Sequence, residues 1–587
     1  MLQDTIDLLY RAPPGLGLAV GAVFIGIFLA LLRLARPKPI PGIPYNVEAA
    51  KSLFGDIPEF RTAPDRREWW ASQVIKHQSP MIQVFLRPFS RPLVFVADHW
   101  EATDIMTRRM KEFDRSDETV NTFGGVAPAH HINMRSSNPQ FKRNKELIRD
   151  LMSVNFLQDV SAPEIYQKFA LLIDLWTSKL RLAKGRPFNA CEDIHNAALD
   201  IVMAASFGLE PEQSQIAKQT RELEVSESSK TGGQDDAFEF KHVPLDEELQ
   251  CFTTLGDSIL VAVRSPLPLL SHFLYRNLSP MMRRAAAGRD KLRNREIAKS
   301  IERMKAGHPE RCAMDNMLAR EDAIAAKEGR KPNYYSEVIL CELLGYLVGG
   351  HDTTSSVLRW ACKYLTDDQR VQSLLRKSIY EAYPEAAAQN RLPTVTEITK
   401  NQHVAYLDAV IEESVRHARV APVTFRQAMV DTQVLGVHIP KGTTVGMLAS
   451  GPGMLTPMTS GIEVDYSKRS INSKAHMKKV AAFDNSNITE FYPERWLKTQ
   501  KTESGKEETV FDPNSGPAQG FGLGPRGCFG RKLAYIELRI FFTMILWEFK
   551  MNPIKQELRR QDESVTLTRS PKYVYVSLEK AGPRQAV

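Results

Sequence analysis

The chain has 587 residues, of which 43% are hydrophobic and 25% charged. This composition is typical of a globular protein with a large core and argues against extended disorder. The net charge is +8, but lysine and arginine are scattered along the chain. Neither a zinc-finger spacing nor an RNA-binding aromatic motif is present, so we expect no nucleic-acid partner. The excess positive charge favours a face for an acidic protein partner or a membrane surface.

The six cysteines lie far apart and form no Cys-x-x-Cys pair. This spacing excludes a disulfide framework and a zinc site of the usual kind. For the five cysteines other than Cys528 we expect reduced thiols.

The N-terminal segment predicts a membrane anchor. No residue from Ala12 to Leu32 is charged, and a helix of this length would extend about 32 Å, enough to cross a bilayer. Acidic residues precede it, and the basic residues Arg33, Arg36 and Lys38 follow it. The positive-inside rule then places the C-terminal side in the cytosol. A cleaved signal peptide is the alternative, but it would need a basic start. We therefore predict a tail over 1–11 and a transmembrane signal-anchor over 12–32.

Prolines 37, 39, 41 and 44 follow the anchor. Proline at this density cannot continue a helix, so residues 33–45 should form a stiff extended connector. Neither an internal repeat nor a second domain boundary follows, which indicates one domain over 46–587.

Hydrophobic periodicity predicts a mainly α domain with a few short strands. The predicted strands are Met81–Phe85, Pro92–Val96 and Tyr573–Leu578, the helices Gln140–Met152, Met281–Met304 and Ser336–Leu365, and the polar loops Ser226–Asp236 and Lys498–Glu508.

The third of these helices contains Gly349-Gly350-His351-Asp352-Thr353-Thr354. Adjacent glycines weaken a helix, and the Thr353 hydroxyl can donate to the Gly349 carbonyl one turn back. We expect a local opening there, with an acid and an alcohol beside a gap, an arrangement suited to proton delivery. Alone, the motif is more often a solvated helix face.

Glu413 and Arg416 lie three residues apart on an amphipathic helix and can pair. Such a pair matters for stability only when it is buried and bonded further. Arg495, in Tyr492-Pro493-Glu494-Arg495-Trp496, is available as a third member.

Phe521-Gly-Leu-Gly-Pro-Arg526-Gly-Cys528-Phe-Gly530 is a glycine-rich loop that precedes an apolar helix. Glycine permits close backbone approach, and N–H groups aimed at the sulfur would stabilise a thiolate against a metal.

The loop fits Phe-x-x-Gly-x-Arg-x-Cys-x-Gly, so the chain resembles the cytochrome P450 family. The resemblance implies a mainly α fold with small β-sheets around one heme b. Cys528 would be the axial ligand within the Phe521 to Gly530 loop, its thiolate favouring O–O cleavage. Asp352 and Thr353 would supply protons, and Glu413, Arg416 and Arg495 would form a buried structural network.

The resemblance also implies cations for the two heme propionates. Arg526 matches the family's propionate-binding arginine, and Arg426 lies where many members place a second. The family's Trp-x-x-x-Arg pattern is replaced by Phe141 to Lys145, so Lys145 keeps a charge but loses the bidentate fork. A solvated basic helix is the alternative for Lys145.

The implied function is insertion of one oxygen atom from O2 into a hydrophobic small molecule, by hydroxylation, epoxidation or multi-step oxidation, in secondary-metabolite biosynthesis. The implied partners are an NADPH-cytochrome P450 reductase, with cytochrome b5 as a possible second donor, and the endoplasmic reticulum membrane. The catalytic domain would face the cytosol, and the reductase would dock near Arg531 and Lys532. Alternatives are an isomerase that needs no reductase and a non-catalytic heme-binding membrane protein.

Two features lie outside the resemblance. The usual His-x-Asp-Pro segment is absent, and the segment 451–487 is longer than the family norm.

His130-His131 has no acid or cysteine nearby at ligand spacing, so we do not expect a metal pair.

Overall fold

The computed structural model describes residues 14–66, 68–87, 90–225, 237–265, 267–400, 403–503, 505–565 and 568–582. The helices are α1 (Pro14–Ala35), α2 (Val47–Lys51), α3 (Ile57–Thr62), α4 (Trp69–His77), α5 (His99–Thr107), α6 (Asp117–Phe123), α7 (Pro139–Leu147), α8 (Val154–Phe156), α9 (Ala162–Ala183), α10 (Cys191–Phe207), α11 (Gln215–Val225), α12 (Glu247–Asp257), α13 (Ile259–Val263), α14 (Pro268–Leu278), α15 (Pro280–Lys305), α16 (Ala313–Glu328), α17 (Glu337–Asp367), α18 (Gln369–Ala382), α19 (Pro384–Ala388), α20 (Val395–Lys400), α21 (Ala405–Ala418), α22 (Ile471–Met477) and α23 (Arg531–Glu548).

The strands are short and form small sheets. They are β1 (Met81–Val84), β2 (Leu93–Val96), β3 (Phe113–Asp114), β4 (Phe188–Asn189), β5 (Val423–Ala428), β6 (Thr432–Val434), β7 (Val437–Ile439), β8 (Thr444–Leu448), β9 (Leu497–Lys501), β10 (Glu507–Phe511), β11 (Phe549–Asn552), β12 (Glu563–Val565), β13 (Arg569–Pro571) and β14 (Tyr575–Lys580). The largest sheet has the order β1-β2-β8-β5-β3, in which only β2 and β8 run parallel. The predicted mainly α fold with small sheets is confirmed.

The long helix α17 forms the centre of the main core. Ser336 is its N-cap, and the Ser336 hydroxyl accepts the N–H of Ile339. This bond satisfies one of the backbone N–H groups that have no partner within the first turn of a helix. The helix α17 packs against α10 and also contacts α21 and α23. The motif at 349–354 and the helix that follows the Cys528 loop are therefore packed against one another.

The connector after α1 docks on the sheet. The side chain of Gln83 in β1 accepts the N–H of Ile40 at 2.8 Å and donates to the carbonyls of Ile40 and Ile43 at 2.8 and 2.7 Å. Ile40 and Ile43 are buried. The connector is thus held against the domain by backbone hydrogen bonds and two apolar side chains.

The transmembrane prediction over 12–32 is not confirmed. The helix α1 spans 14–35, and within the described ranges no helix combines the length and apolarity of a bilayer crossing. The predicted tail, 1–11, lies outside the described residues, as does the predicted loop Ser226–Asp236.

The prediction of a loop over Lys498–Glu508 is wrong. Residues 497–511 form the antiparallel hairpin of β9 and β10, with Lys501 opposite Glu507. Its turn uses Gly505 at φ +77°, a left-handed conformation that glycine adopts without strain. Because most of its side chains are polar and exposed, the alternation of hydrophobicity that marks a half-buried strand is missing.

Candidate functional site

The Cys528 loop is held in a tight conformation by its own backbone. The N–H of Cys528 donates to the carbonyl of Phe521 at 2.8 Å, and Gly527 donates to Gly524 at 2.9 Å. Gly524 has φ +69°, and a Cβ there would lie 2.3 Å from the carbonyl oxygen of Met106. No other residue fits at that position, because both the conformation and the space require glycine.

Cys528 is exposed, whereas the residues on either side of it in the loop are half-buried. Desolvation by these protein groups raises the pKa of Cys528, whereas the backbone N–H of Gly530 and the charge of Arg531 lower it. The helix α23 begins at Arg531, directly after the loop, so its free N–H groups favour negative charge near the sulfur. The Gly530 N–H, the Arg531 charge and the N-terminus of α23 would therefore stabilise a thiolate that binds a metal.

The motif on α17 lies beside open space. The Thr353 hydroxyl donates to the Gly349 carbonyl at 2.7 Å, as predicted. A Cβ at Gly349 would meet no atom within 4 Å of it among the described residues, whereas one at Gly350 would lie 2.7 Å from Val202. The helix continues through both glycines without a break, so the expected opening takes the form of an exposed helix groove rather than an interruption.

The carboxylate of Asp352 is held by a second element. The hydroxyl of Thr568, beside β13, donates to its Oδ2 at 2.6 Å. Asp257 on α12 lies close enough that the Asp352 charge, after the larger effect of burial, raises the pKa of Asp257. The acid of the motif is therefore positioned between Thr568, next to β13, and α12.

A buried carboxyl group joins α17 to α23. Glu537, nine residues after Cys528, is 4% exposed and lies beside Thr354 of α17. Burial raises the pKa of Glu537 to about 8, so the group is largely neutral at pH 7. Glu537 thus lies where the helix that carries Thr353 packs against the helix that follows the cysteine.

Three arginines, Arg115, Arg426 and Arg526, converge near the loop. Arg526 donates to Met134 at 2.6 Å, Ser136 at 3.0 Å and Asp114 at 3.2 Å. Arg426, at 2% exposure, donates to the Phe425 carbonyl and to no other described residue. The charges of Arg426 and Arg526, together with the larger effect of burial, lower the pKa of Arg115 to about 9.

Each of these guanidinium groups keeps one nitrogen that the described residues leave without a hydrogen bond. Within the described residues, Nε of Arg115, Nη2 of Arg426 and Nη1 of Arg526 are buried without a hydrogen-bond partner. Asp114 is the acid that opposes them. Buried donors and a net positive charge require an anion, and Arg115 is a member of this site that the sequence reasoning missed.

Lys145 lies in the same neighbourhood. Its ammonium is 5.7 Å from the ring centroid of Phe141, and the guanidinium of Arg526 lies 3.9 Å from the same centroid. Burial and the Arg526 charge lower the pKa of Lys145. Phe141 thus packs between the two cations where the family pattern has tryptophan.

His130 and His131 meet an acid that is distant in the sequence. Glu342 on α17 accepts from Nδ1 of His131 at 2.7 Å and lies 3.4 Å from Nε2 of His130. These ligand atoms lie within 4.8 Å of one another and could hold a metal ion. However, Nδ1 of His130 accepts the N–H of Ile132, so its proton is on Nε2, facing Glu342. The geometry favours a carboxylate that ties the 130–131 segment to α17.

Glu413, Arg416 and Arg495 form one buried cluster. Both oxygens of Glu413 accept from Arg416, at 2.7 and 2.9 Å, and Oε1 also accepts from Arg495 at 3.0 Å. The Trp496 indole donates to Oε2 at 2.9 Å. Burial would raise the pKa of Glu413, but the hydrogen bonds and charges of His417 and Arg416 hold it far below its usual value.

A family model described as Cytochrome P450 matches residues 48–454 and 471–577. The matched ranges include the Cys528 loop, the α17 motif and the Glu413 cluster, and they leave residues 455–470 outside.

The curated relatives include fungal enzymes of similar length. Cytochrome P450 monooxygenase TRI13 of Fusarium sporotrichioides is 36% identical over 590 residues, which cover 95% of this chain and 99% of the relative. Cytochrome P450 monooxygenase xilC of Penicillium rubens is 33% identical over 568 residues, which cover 96% of each chain.

A solved heme domain of cytochrome P450DA has a TM-score of 0.62 at 16% identity and covers 93% of this chain and 99% of that one. At this identity the likeness concerns the fold alone. Taken with the family match and the two fungal relatives, it shows that the chain belongs to the cytochrome P450 family, as a monooxygenase.

Proposed function

We propose that the enzyme inserts one oxygen atom from O2 into a hydrophobic small molecule, by hydroxylation, epoxidation or multi-step oxidation, in secondary-metabolite biosynthesis. The observation that carries the proposal is the packing of α17 against α23, which places the acid–alcohol motif of α17 next to the helix that follows the thiolate loop. The fungal relatives support the biosynthetic context, since one from Dothistroma septosporum is named after the Hps1-dma1 cluster.

The family binds heme through a cysteine thiolate, and the residues of this chain fit that group. Cys528 would be the axial ligand, within the loop from Phe521 to Gly530. The unpaired donors of Arg426 and Arg526, with Lys145 nearby, would bind the propionates, and Arg115 adds a further cation. When bound, heme supplies the oxygen chemistry.

We assign Asp352 and Thr353 to proton delivery. Thr353 lies at the groove left by Gly349, where its hydroxyl can hold a water molecule or exchange a proton. Asp352 can carry protons from solvent towards Thr353. An isomerase would not need this acid–alcohol pair, which is why we favour a monooxygenase over that alternative.

The proposed domain organisation is the tail 1–11, an anchor within 12–32, the connector 33–45 and the catalytic domain 46–587. The exposed apolar side chains of α1, such as Phe24 and Phe28 at 68% and 60% exposure, support membrane association. A second apolar surface lies on α14, where Leu270 and Phe273 are 52% and 55% exposed. We propose a single-pass protein of the endoplasmic reticulum membrane with its catalytic domain in the cytosol.

Electrons would come from an NADPH-cytochrome P450 reductase, with cytochrome b5 as a possible second donor. Arg531 and Lys532 are exposed at the start of α23, and Lys142 and Arg143 are exposed on α7. These cations could meet an acidic protein surface near the thiolate.

The function is tested on the purified holoprotein. The reduced carbon monoxide complex should show the Soret band of a heme thiolate, and NADPH consumption with reductase should rise with a hydrophobic substrate. A normal band without any NADPH-dependent turnover across a broad substrate panel would favour the non-catalytic heme-binding alternative.

Replacing Arg115 by methionine should weaken heme binding by about tenfold or more, since a buried hydrogen bond to a charged group contributes about 1.5–3 kcal/mol. The heme-free protein should become no less stable, because repulsion among the three arginines is relieved. Heme transfer to apomyoglobin and thermal unfolding of the heme-free form measure the two effects.

The matched control for Arg115 is Lys111→Met, which removes an exposed cation nearby and should change neither quantity. Unchanged heme retention in Arg115→Met would contradict the assignment of Arg115 to the propionate site.

Replacing Thr353 by alanine should uncouple NADPH consumption from product formation. Without the hydroxyl, product formed per NADPH should fall by about 10², at the lower end of what a positioned proton donor contributes. Thr353→Ser keeps the hydroxyl and should restore most of the coupling. Hydrogen peroxide and product are quantified on a substrate that the wild type oxidises, and equal coupling in all three proteins would contradict the assignment.

A further inference from the structure

The segment at 451–487, longer than in the family, lies against α5 rather than projecting freely. Arg469 forms a bidentate pair with Asp98, with both N···O distances at 2.6 Å and exposures of 4% and 2%. Its guanidinium also lies 5.0 Å from the Trp100 ring. Because a bidentate buried pair fixes both position and orientation, the segment is rigidly docked at this point.

Further bonds continue this contact along α5. The hydroxyl of Ser470, which caps α22, donates to Asp104 at 2.8 Å. The indole of Trp100 donates to the carbonyl of Val480 at 3.0 Å. At the surface, Arg108 donates to Asn472 at 3.1 Å. The helix α22 is therefore anchored before, along and after its length.

The same helix α5 supports the Cys528 loop. The Gln519 side chain donates to the His99 carbonyl at 3.2 Å, at the start of α5. At its end, the Met106 carbonyl lies against Gly524 of the loop. A nine-residue helix is only about 13 Å long, so α22 and the loop flank one short element.

The outer side of α22 is basic and carries an exposed apolar residue. From Tyr466 to Val480 the sequence contains no acid, while Lys468, Lys474, Lys478 and Lys479 are basic in addition to the paired Arg469. Lys478 and Lys479 are exposed, and Arg108 adds another exposed cation. Ile471 is 85% exposed. We call Arg108, Ile471, Lys474, Lys478 and Lys479 the α22 surface.

We propose that the α22 surface is part of the docking site for the acidic face of the flavoprotein reductase. This inference rests on the proposed function, and it extends the docking surface from Arg531 and Lys532 across α5 to α22. Charge complementarity argues for an acidic partner, and the position beside the Cys528 loop argues for an electron donor. An exposed apolar side chain amid cations is suited to a transient protein contact.

The family match omits 455–470, the stretch that contains Arg469 and Ser470, which bond to Asp98 and Asp104. The bonds between the 451–487 segment and α5 are thus made in part by residues outside the common family pattern. We therefore expect this chain's reductase contact to depend on α22 in a way that the common P450 pattern does not provide.

The test is the triple variant Lys474→Glu, Lys478→Glu and Lys479→Glu in the full-length holoprotein. The rate of the first electron transfer from the purified reductase is followed by stopped-flow formation of the reduced carbon monoxide complex. We expect a rate about tenfold lower than the wild-type rate at 50 mM salt, with the difference shrinking to about twofold at 500 mM because salt screens exposed charges. The control triple variant, Lys291→Glu, Lys305→Glu and Lys327→Glu, changes exposed lysines on α15 and α16 and should keep the wild-type rate.

Reduction by dithionite, which needs no docking, should give the same carbon monoxide spectrum in all three proteins and shows that the fold and thiolate are intact. Equal reductase-dependent rates for wild type and the α22 variant at low salt would overturn the inference. So would an α22 variant that loses binding to vesicles containing anionic phospholipid while electron transfer is unchanged, since the surface would then contact lipid. If the wild type itself accepts no electrons from the reductase, the proposed function fails and this inference with it.

Discussion

Replacing Cys528 by serine should abolish the thiolate Soret band of the reduced carbon monoxide complex and all NADPH-dependent oxidation. Serine is of similar size and keeps the backbone bond to Phe521, so the loop should persist while the sulfur ligand is lost. A neutral hydroxyl does not supply the negative charge and electron donation of a thiolate. The spectrum and turnover with reductase are measured on protein reconstituted with heme.

The matched control for this experiment is Cys251→Ser. Cys251 is 8% exposed on α12, and burial raises the pKa of its thiol. It should therefore be protonated and unreactive, and its replacement should leave the band intact. A thiolate band in Cys528→Ser, or its loss in Cys251→Ser, would contradict the assignment of the axial ligand.

Replacing Glu413 by glutamine should destabilise the fold by about 3–5 kcal/mol, the usual effect of removing one partner from a buried ion pair. Arg416 and Arg495 would be left without their counter-charge, and the amide could accept only part of the present bonds. We expect a markedly lower thermal midpoint and a lower yield of heme-loaded protein. Both are measured, because unfolding of a cofactor protein is not a simple two-state process.

The adjacent carboxyl group provides a matched control. Glu412 lies on the same helix and is also buried, but burial raises its pKa, and its carboxyl is paired with the hydroxyl of Tyr535. The side-chain oxygen of a glutamine can still accept the Tyr535 hydroxyl, so Glu412→Gln should cost less than about 1 kcal/mol. Equal losses for the two variants would indicate that charge at Glu413 is unimportant.

The pH dependence gives an independent check. The folded-state pKa of Glu413 lies below its value in the unfolded chain. Its contribution to stability is therefore fully present above the unfolded value, about 4.3, and is lost as the pH falls below it. The thermal midpoint of Glu413→Gln should depend less steeply on pH in this acidic range than that of the wild type.

The motifs with fixed local spacing could be read from the sequence. The Cys528 loop, the Thr353–Gly349 bond and the pairing of Glu413 with Arg416 each depend on neighbours within one loop or one turn of helix. Arg495 is far along the chain, and its place beside Glu413 was expected only from the family resemblance. The mainly α fold and the long helices could also be predicted from the sequence, because hydrophobic periodicity depends on residues within one element.

What could not be predicted depends on contacts between distant segments. Arg115 is one basic residue among many in the sequence, and only the fold brings it to Arg426 and Arg526. The acid for His131 lies 211 residues away at Glu342. The polar hairpin of β9 and β10 carries no alternating pattern, because neither of its faces is strongly buried.

The hydrogen bond from Thr568 to Asp352 has a consequence for the rate at which protons reach the site. A hydrogen bond to a charged group contributes about 1.5–3 kcal/mol, and each 1.4 kcal/mol is a factor of about ten in population. The carboxylate would therefore be free of Thr568 in only about one molecule in ten to one in a hundred. Thr568 would thus hold the acid of the motif in one orientation, and Asp352 would have to leave this bond before it could turn towards Thr353.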